Sequence, residues 1–248
     1  MPRIYPTLPD VRWPSEEGAI GVVGVAPWAT VDFLSQVYKH TTASKDWQFP
    51  RVLVDANSKI PSRGRYFDLN ETDPSPYIAA TIDELIAAGA SVVVVPCNTA
   101  HILFDRWCSP ERTEVESIID ATLAELSKDD PDRVAVLGSV HLVRHRTYLE
   151  PLENSGFLCH DVTDDEQRLI NMIISEIKIS NTLQETTSVG FRLILENLED
   201  LGTKTIILGC TELAQALRCV TDHRFTGQII DSNAALAKAA LLRLVQAG

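Results

Sequence analysis

The sequence predicts an α/β fold of two pseudo-symmetric lobes, each a mainly parallel sheet flanked by helices, with a site in the cleft between them. Three observations lead there. Short β-rich runs alternate with amphipathic stretches of helical length, as in sheets whose parallel strands are joined by crossover helices. Runs such as Val92-Val-Val-Val95 and Thr205-Ile-Ile-Leu208 lack polar alternation, which marks strands covered on both faces. The third observation is a weak internal repeat. A helical stretch, a glycine, a strand and a cysteine follow one another through Gly89 to Cys97, and again through Gly202 to Cys210. Glycine is favoured just past a helix end because it takes positive φ without strain.

Taken in order, residues 1–17 carry four prolines and little periodicity, and read as an extended arm. Strands are expected where β-branched and aliphatic residues cluster, at 19–25, 51–57, 91–95, 133–137, 157–161, 205–208 and 228–230. The intervening amphipathic stretches predict helices at 29–40, 75–88, 143–154, 165–179, 187–200 and 233–246. A break near Arg112-Thr113 and a return near 225–227 divide the chain. Residues 18–112 with 227–248 make the lobe that carries Cys97, and 113–226 the lobe that carries Cys210.

Composition sets limits on function. The 248 residues can bury a sizeable core, and 45% apolar with 23% charged residues is ordinary for a globular protein. No apolar run approaches the roughly 20 residues that span a bilayer, and the N-terminus lacks a signal-peptide core. A cytoplasmic protein with mostly reduced cysteines is therefore expected. The net charge of −12 argues against a nucleic-acid surface. Arg51, Lys59, Arg63 and Arg65 nonetheless lie close together in sequence, enough for a local positive cluster.

The two cysteines supply the chemistry. Each leaves an apolar run through Pro96 or Gly209 and is followed by small hydroxyl or amide residues, Asn98-Thr99 or Thr211-Glu212. That is a strand entering a helix N-terminus, where backbone N–H groups and the helix dipole favour a thiolate. Two such thiols suit removal of a weakly acidic proton from a carbon next to a carboxylate and its replacement from the opposite face. Each sulfur would then stand about 3–3.5 Å from that carbon. Cys108, Cys159 and Cys219 lack this context and read as ordinary thiols.

At these residues the chain resembles the aspartate/glutamate racemase family of cofactor-independent enzymes, and most closely its aspartate racemase-like subgroup. Pro96-Cys97-Asn98-Thr99-Ala100-His101 and Gly209-Cys210-Thr211-Glu212 match the family motifs. Ala29-Thr30, Asn57 before Ile60-Pro61-Ser62-Arg63, Lys178 before Asn181, and Asp231 add further matches over about residues 18 to 245. The resemblance implies a two-lobed α/β racemase without pyridoxal phosphate, frequently dimeric, acting on aspartate or glutamate. Cys97 and Cys210 would be the acid/base pair. Asn98, Thr99 and Thr211 would hold the α-carboxylate, in keeping with an anion at a helix N-terminus. Thr30 belongs to the same matched set, and Asn57, Arg63 and Lys178 would approach the substrate's polar ends, the two cations suiting a side-chain carboxylate.

Two loops depart from the subgroup. Gly24-Val25-Ala26-Pro27-Trp28 stands where a Met-Gly-Pro run is usual, and Ser139-Val140-His141-Leu142-Val143-Arg144-His145-Arg146 replaces small and hydroxyl residues. These bear on the substrate's side chain more than on the reaction. His101, four residues after Cys97, reads as a neighbour that tunes it; no third and fourth ligand completes a zinc site. Glu212 reads likewise beside Cys210, where a carboxylate would raise the thiol's pKa. Gly21-Val-Val-Gly24 lacks the spacing of a dinucleotide loop. Arg144-His145-Arg146 reads as a solvated helix face or an added anion-binding element. The rival readings are a maleate-type isomerase or decarboxylase using one cysteine, and a non-catalytic amino-acid binding protein.

Overall fold

The computed structural model describes residues 17–126, 132–220 and 222–247. Apart from Glu17, the proline-rich arm lies outside the described residues. The chain divides into two compact units: the described residues of Met1–Ala121 with Asn233–Gly248, and those of Thr122–Ser232.

The first unit holds strands β1 (Ile20–Val23), β2 (Val52–Asp55), β3 (Val92–Val94) and β4 (Val115–Glu116). They form one parallel sheet in the order β2-β1-β3-β4. Helix α1 (Pro27–His40) connects β1 to β2, and α2 (Arg63–Leu69) and α3 (Ser75–Ala87) connect β2 to β3. After β3 come the short helices α4 (Asn98–His101) and α5 (Phe104–Trp107), and after β4 comes α6 (Ile118–Leu123). β1 and β3 are buried throughout, which accounts for their unbroken apolar runs.

The second unit repeats this plan. Strands β5 (Arg133–Gly138), β6 (Leu158–His160), β7 (Thr205–Gly209) and β8 (Gln228–Asp231) are parallel in the order β6-β5-β7-β8. Helices α7 (Val140–Arg144) and α8 (Leu149–Asn154) link β5 to β6. A helical hairpin, α9 (Asp164–Ser180) and α10 (Glu185–Asp200), leads to β7, and α11 (Thr211–Arg218) leads to β8. Helix α12 (Ser232–Ala247), which from Asn233 on belongs to the first unit, closes the described chain.

In both sheets the third strand lies on the opposite side of the first strand from the second. The winding therefore reverses between β1 and β3, and again between β5 and β7. Ligands of open parallel sheets bind beyond the carboxyl ends of the strands at such a reversal. Cys97 and Cys210 sit just past β3 and β7, the equivalent strands of the two sheets.

Local chemistry explains the repeat. Helix α3 ends with Gly89 at φ 99°, whose N–H donates to Ile86 O while Ala90 N–H donates to Leu85 O. Helix α10 ends with Gly202 at φ 75°, with the matching bonds from Gly202 N–H to Glu199 O and Thr203 N–H to Leu198 O. Both are Schellman closures, which satisfy the last carbonyls and turn the chain into the next strand. Helix α9 starts with a capping box in which Thr163 and Glu166 bond each other's backbone N–H. Its buried face, Ile170, Ile173, Ile174 and Ile177, has helical spacing and packs with Phe191, Ile194, Leu195 and Leu198 of α10.

Three expectations need correction. The helix expected at 143–154 is two helices, α7 and α8, because Arg146 turns to φ 53° and breaks the first of them. That helix also starts earlier, at Val140, since the Ser139 side chain caps Leu142 N–H. The expected strands lack β4, whose two residues are too few to show a pattern in sequence. The expected lobe limits at 112/113 and 226/227 differ from the compact units for a bonding reason. β4 pairs with β3, and β8 pairs with β7, so 115–116 stay with the first sheet and 228–231 with the second.

Candidate active site

The two cysteines have nearly the same backbone. Each is an extended N-cap residue, Cys97 at φ −155° and ψ 104°, Cys210 at φ −147° and ψ 127°, and neither thiol caps its helix. Each carbonyl accepts the N–H three residues on, from Ala100 at 3.2 Å and from Leu213 at 3.0 Å. The side-chain surroundings, by contrast, differ completely.

Cys97 is half-buried, packed against the edge of the first unit's core. Its carbonyl receives a second hydrogen bond, at 2.9 Å from His101 Nδ1. The other ring nitrogen, Nε2, accepts Ile118 N–H at 3.3 Å, so the proton resides on Nδ1. The imidazole stacks on Phe104 and meets Trp107 edge-on. Burial lowers its pKa to about 4, against a smaller rise from the Cys97 hydrogen bond. His101 is thus a neutral brace on the Cys97 backbone, with both nitrogens engaged, which leaves neither free for a metal.

Cys210 lies within the second unit's core, 6% exposed. Its Sγ donates to Glu212 Oε2 at 2.9 Å, and the same oxygen accepts from Thr211 Oγ1 at 3.1 Å. Glu212 is itself 3% exposed. Burial first, and then the Glu212 charge, hold the thiol well above its usual range, while Lys178 on α9 pulls the other way. The expectation that a helix N-terminus makes a thiolate is therefore reversed at Cys210: burial and a carboxylate outweigh the dipole of the eight-residue α11.

In the first unit, several expected residues gather at the strand exits. Arg63 Nη2 donates to Val25 O at 3.1 Å, and Nη1 to Pro61 O at 3.1 Å and Ile60 O at 3.5 Å. These carbonyls fix the guanidinium beside the β1 exit, while its buried Nε has no partner among the described residues. A β-carbon on Gly24 would stand 2.8 Å from Thr30 Oγ1 and 2.9 Å from Asp55 O, so α1 and the β2 exit converge there. The Thr30 hydroxyl donates to Ala26 O, and Asn57 Oδ1 accepts Lys59 N–H at the β2 exit. Asn98 and Thr99 open α4, with Asn98 buried. Arg65 is drawn into an ion pair with Glu71, Arg63 is tied to backbone carbonyls, and Arg51 and Lys59 are exposed, so the four cations sit in different surroundings.

In the second unit, Lys178 lies in the last turn of α9, which packs against α11, and Thr211 is buried with its hydroxyl on Glu212. The loop after β5 is ordered by groups that the sequence did not advertise. Gln167 Nε2 donates to Gly138 O at 3.0 Å, and Asn171 Oδ1 accepts Val140 N–H at 3.3 Å. Their spacing of one helical turn is common to any helix, so no signal singled them out. Gly138 and Gly209 are register partners on β5 and β7. A β-carbon on either would lie 2.6 or 2.7 Å from Leu142 Cδ2, so the leucine fills the space above both. Arg146 pairs with Glu153 at 2.6 Å, which accounts for it on the solvated face of the 144–146 cluster.

No described helix is long and apolar enough to cross a membrane. The family model described as Asp/Glu/Hydantoin racemase matches residues 20–240. The broad-specificity amino-acid racemase RacX of Bacillus subtilis is 26% identical over 226 residues, covering 88% of this chain and 95% of that protein. Among solved structures, the Picrophilus torridus aspartate racemase superimposes with a TM-score of 0.79 at 25% identity, over 92% of this chain and 95% of that one. An aspartate racemase homologue from Pyrococcus horikoshii gives a TM-score of 0.70 at 23% identity, over 92% and 99% of the two chains.

Proposed function

This chain belongs to the Asp/Glu/hydantoin racemase family, and on that premise we propose that it inverts the α-carbon of aspartate, with glutamate as the second candidate, by proton transfer between Cys97 and Cys210. It is an isomerase of the racemase kind. The observation that carries the two-thiol reading is the placement of one cysteine after the equivalent strand of each of two like sheets, on matching backbone. One thiolate removes the Cα proton, and the other thiol delivers a proton to the opposite face. Reversal exchanges the roles, so the pair serves both enantiomers. Asn98, Thr99 and Thr211 take the α-carboxylate.

The buried Nε of Arg63 supports an acidic side chain. Three backbone carbonyls hold the guanidinium and leave the Nε hydrogen without an acceptor among the described residues. A substrate carboxylate reaching that edge would supply the missing partner. Lys178 and Asn57 serve the same polar ends. The reaction needs no pyridoxal phosphate, and the chain works as a cytoplasmic homodimer.

A wider substrate range is the second reading, favoured by the loop after β5. The Ser139 hydroxyl accepts from Leu142 N–H, and His141 and Leu142 are buried, so the small hydroxyl residues usual there are missing. RacX, similar over most of its length, is named for broad specificity. Exchange of the Cα proton in heavy water, followed by NMR over all L- and D-amino acids, tests both. Aspartate alone exchanging supports the first reading, and exchange with neutral amino acids supports the second. No exchange with any amino acid removes both.

A further inference from the structure

We propose that Glu212 is the positioning residue that keeps Cys210 protonated between turnovers, so that the free enzyme rests in one of its two forms, with Cys97 as base and Cys210 as acid. This rests on the two-thiol reading. The geometry is specific. Sγ and Oε2 are 2.9 Å apart, both residues are buried, and Thr211 Oγ1 orients the same oxygen from 3.1 Å. Glu212 makes no contact ion pair among the described residues. A thiolate there would set a second negative charge against a buried carboxylate, whereas a thiol makes a hydrogen bond to it. Lys178, exposed in the last turn of α9, is the charge that opposes Glu212. At Cys97 no carboxylate touches the sulfur among the described residues. The residue two places on is Thr99, where the second unit has Glu212.

A two-base racemase has two free forms, one for each enantiomer. In the resting form the substrate whose Cα proton faces Cys97 reacts at once. Its proton moves to the Cys97 sulfur, and the Cys210 proton moves to the opposite face of the carbon. The enzyme is left with a Cys97 thiol and a Cys210 thiolate beside Glu212. It resets when Cys97 gives a proton to water and Cys210 takes one from water, with no net change. The opposite enantiomer needs the disfavoured form. Because enantiomers are equally stable, kcat/KM is the same in both directions, and the bias appears in kcat and KM separately.

The test is made on the intact chain with iodoacetamide, mapping alkylation of Cys210 by peptide mass as a function of pH. Glu212→Gln removes the charge but keeps a hydrogen-bonding side chain. Cys210 then becomes thiolate at lower pH, and its labelling at pH 8 rises about tenfold, the effect of one unit of pKa. The alkaline limb of kcat/KM, where the proton donor is lost, moves to lower pH, and the acid limb stays in place. Unchanged labelling together with an unchanged alkaline limb overturns the proposal, as does a lower kcat with the pH profile intact. Lys178→Met leaves Glu212 in place and must slow Cys210 labelling; no slowing counts against the proposal even where the Gln variant does not fold. Racemisation surviving in Cys210→Ala would instead overturn the two-thiol reading, an outcome separate from every labelling result.

Discussion

The Cys97 and Cys210 segments share a backbone but not an environment. Both leave a buried strand, both are extended N-caps, and both strands follow a glycine-closed helix. Around Cys97 the unusual group, His101, holds the main chain and leaves the thiol alone. Around Cys210 the unusual group, Glu212, holds the thiol itself. A repeated fold therefore fixes where the two thiols stand, while single side chains downstream make their surroundings differ, His101 bracing a backbone carbonyl and Glu212 bonding a sulfur. Structural likeness between halves is not chemical likeness.

The sharpest way to break the comparison is to remove each sulfur in turn. On the proposed two-thiol mechanism, Cys97→Ala and Cys210→Ala should each lower Cα proton exchange by about 10³-fold or more, since each would remove one of two proton-transfer groups. If one variant keeps near-full exchange, the halves are not functional equivalents. A second test concerns the cores. Phe191→Ala empties a fully buried site between α9 and α10 and should cost about 3–5 kcal/mol in urea unfolding. A cost under 1 kcal/mol would show that the second unit's core does not depend on that packing.

His101 gives a pH test confined to the Cys97 side. Its pKa falls from 6.5 to about 4 on folding, so the unfolded chain binds more protons between those values. Its contribution is fully present above pH 6.5 and is lost as pH falls toward 4, by about 3 kcal/mol in all. Wild type should lose stability over that window faster than His101→Asn, by chemical denaturation at fixed salt. Equal slopes would mean that the imidazole is solvated.

The smallest expected effects come from the paired glycines. Gly89→Ala and Gly202→Ala each place a side chain at positive φ with no atom within 4 Å of the new Cβ. Strain alone then acts, at about 1–2 kcal/mol each. Matching thermal shifts would extend the repeat from geometry to energetics, and unequal ones would limit it.

Much of this was legible in sequence because burial on both faces writes itself as unbroken apolar runs. The strands expected at 91–95 and 205–208 rest on that pattern, and β3 and β7 lie there. The cysteine motifs were legible because proline, glycine and small polar residues mark a strand exit. The remainder depended on distances between residues that spacing does not encode. Nothing in the sequence told whether the Glu212 carboxylate would meet the Cys210 sulfur or the helix backbone, and the burial that reverses the dipole's effect is a property of the whole core. The turn at Arg146 was hidden because arginine is a good helix former, and its left-handed backbone accompanies a pair with Glu153 seven residues on.

One more consequence follows from Leu142 over the Gly138–Gly209 pair. A methyl group on either glycine would run into the Leu142 side chain, and on Gly138 also crowd Gly209 O at 3.1 Å, beside the strand that delivers Cys210. The three positions are thus coupled: a change at one alters the space left to the other two, so paired substitutions here should be non-additive in stability.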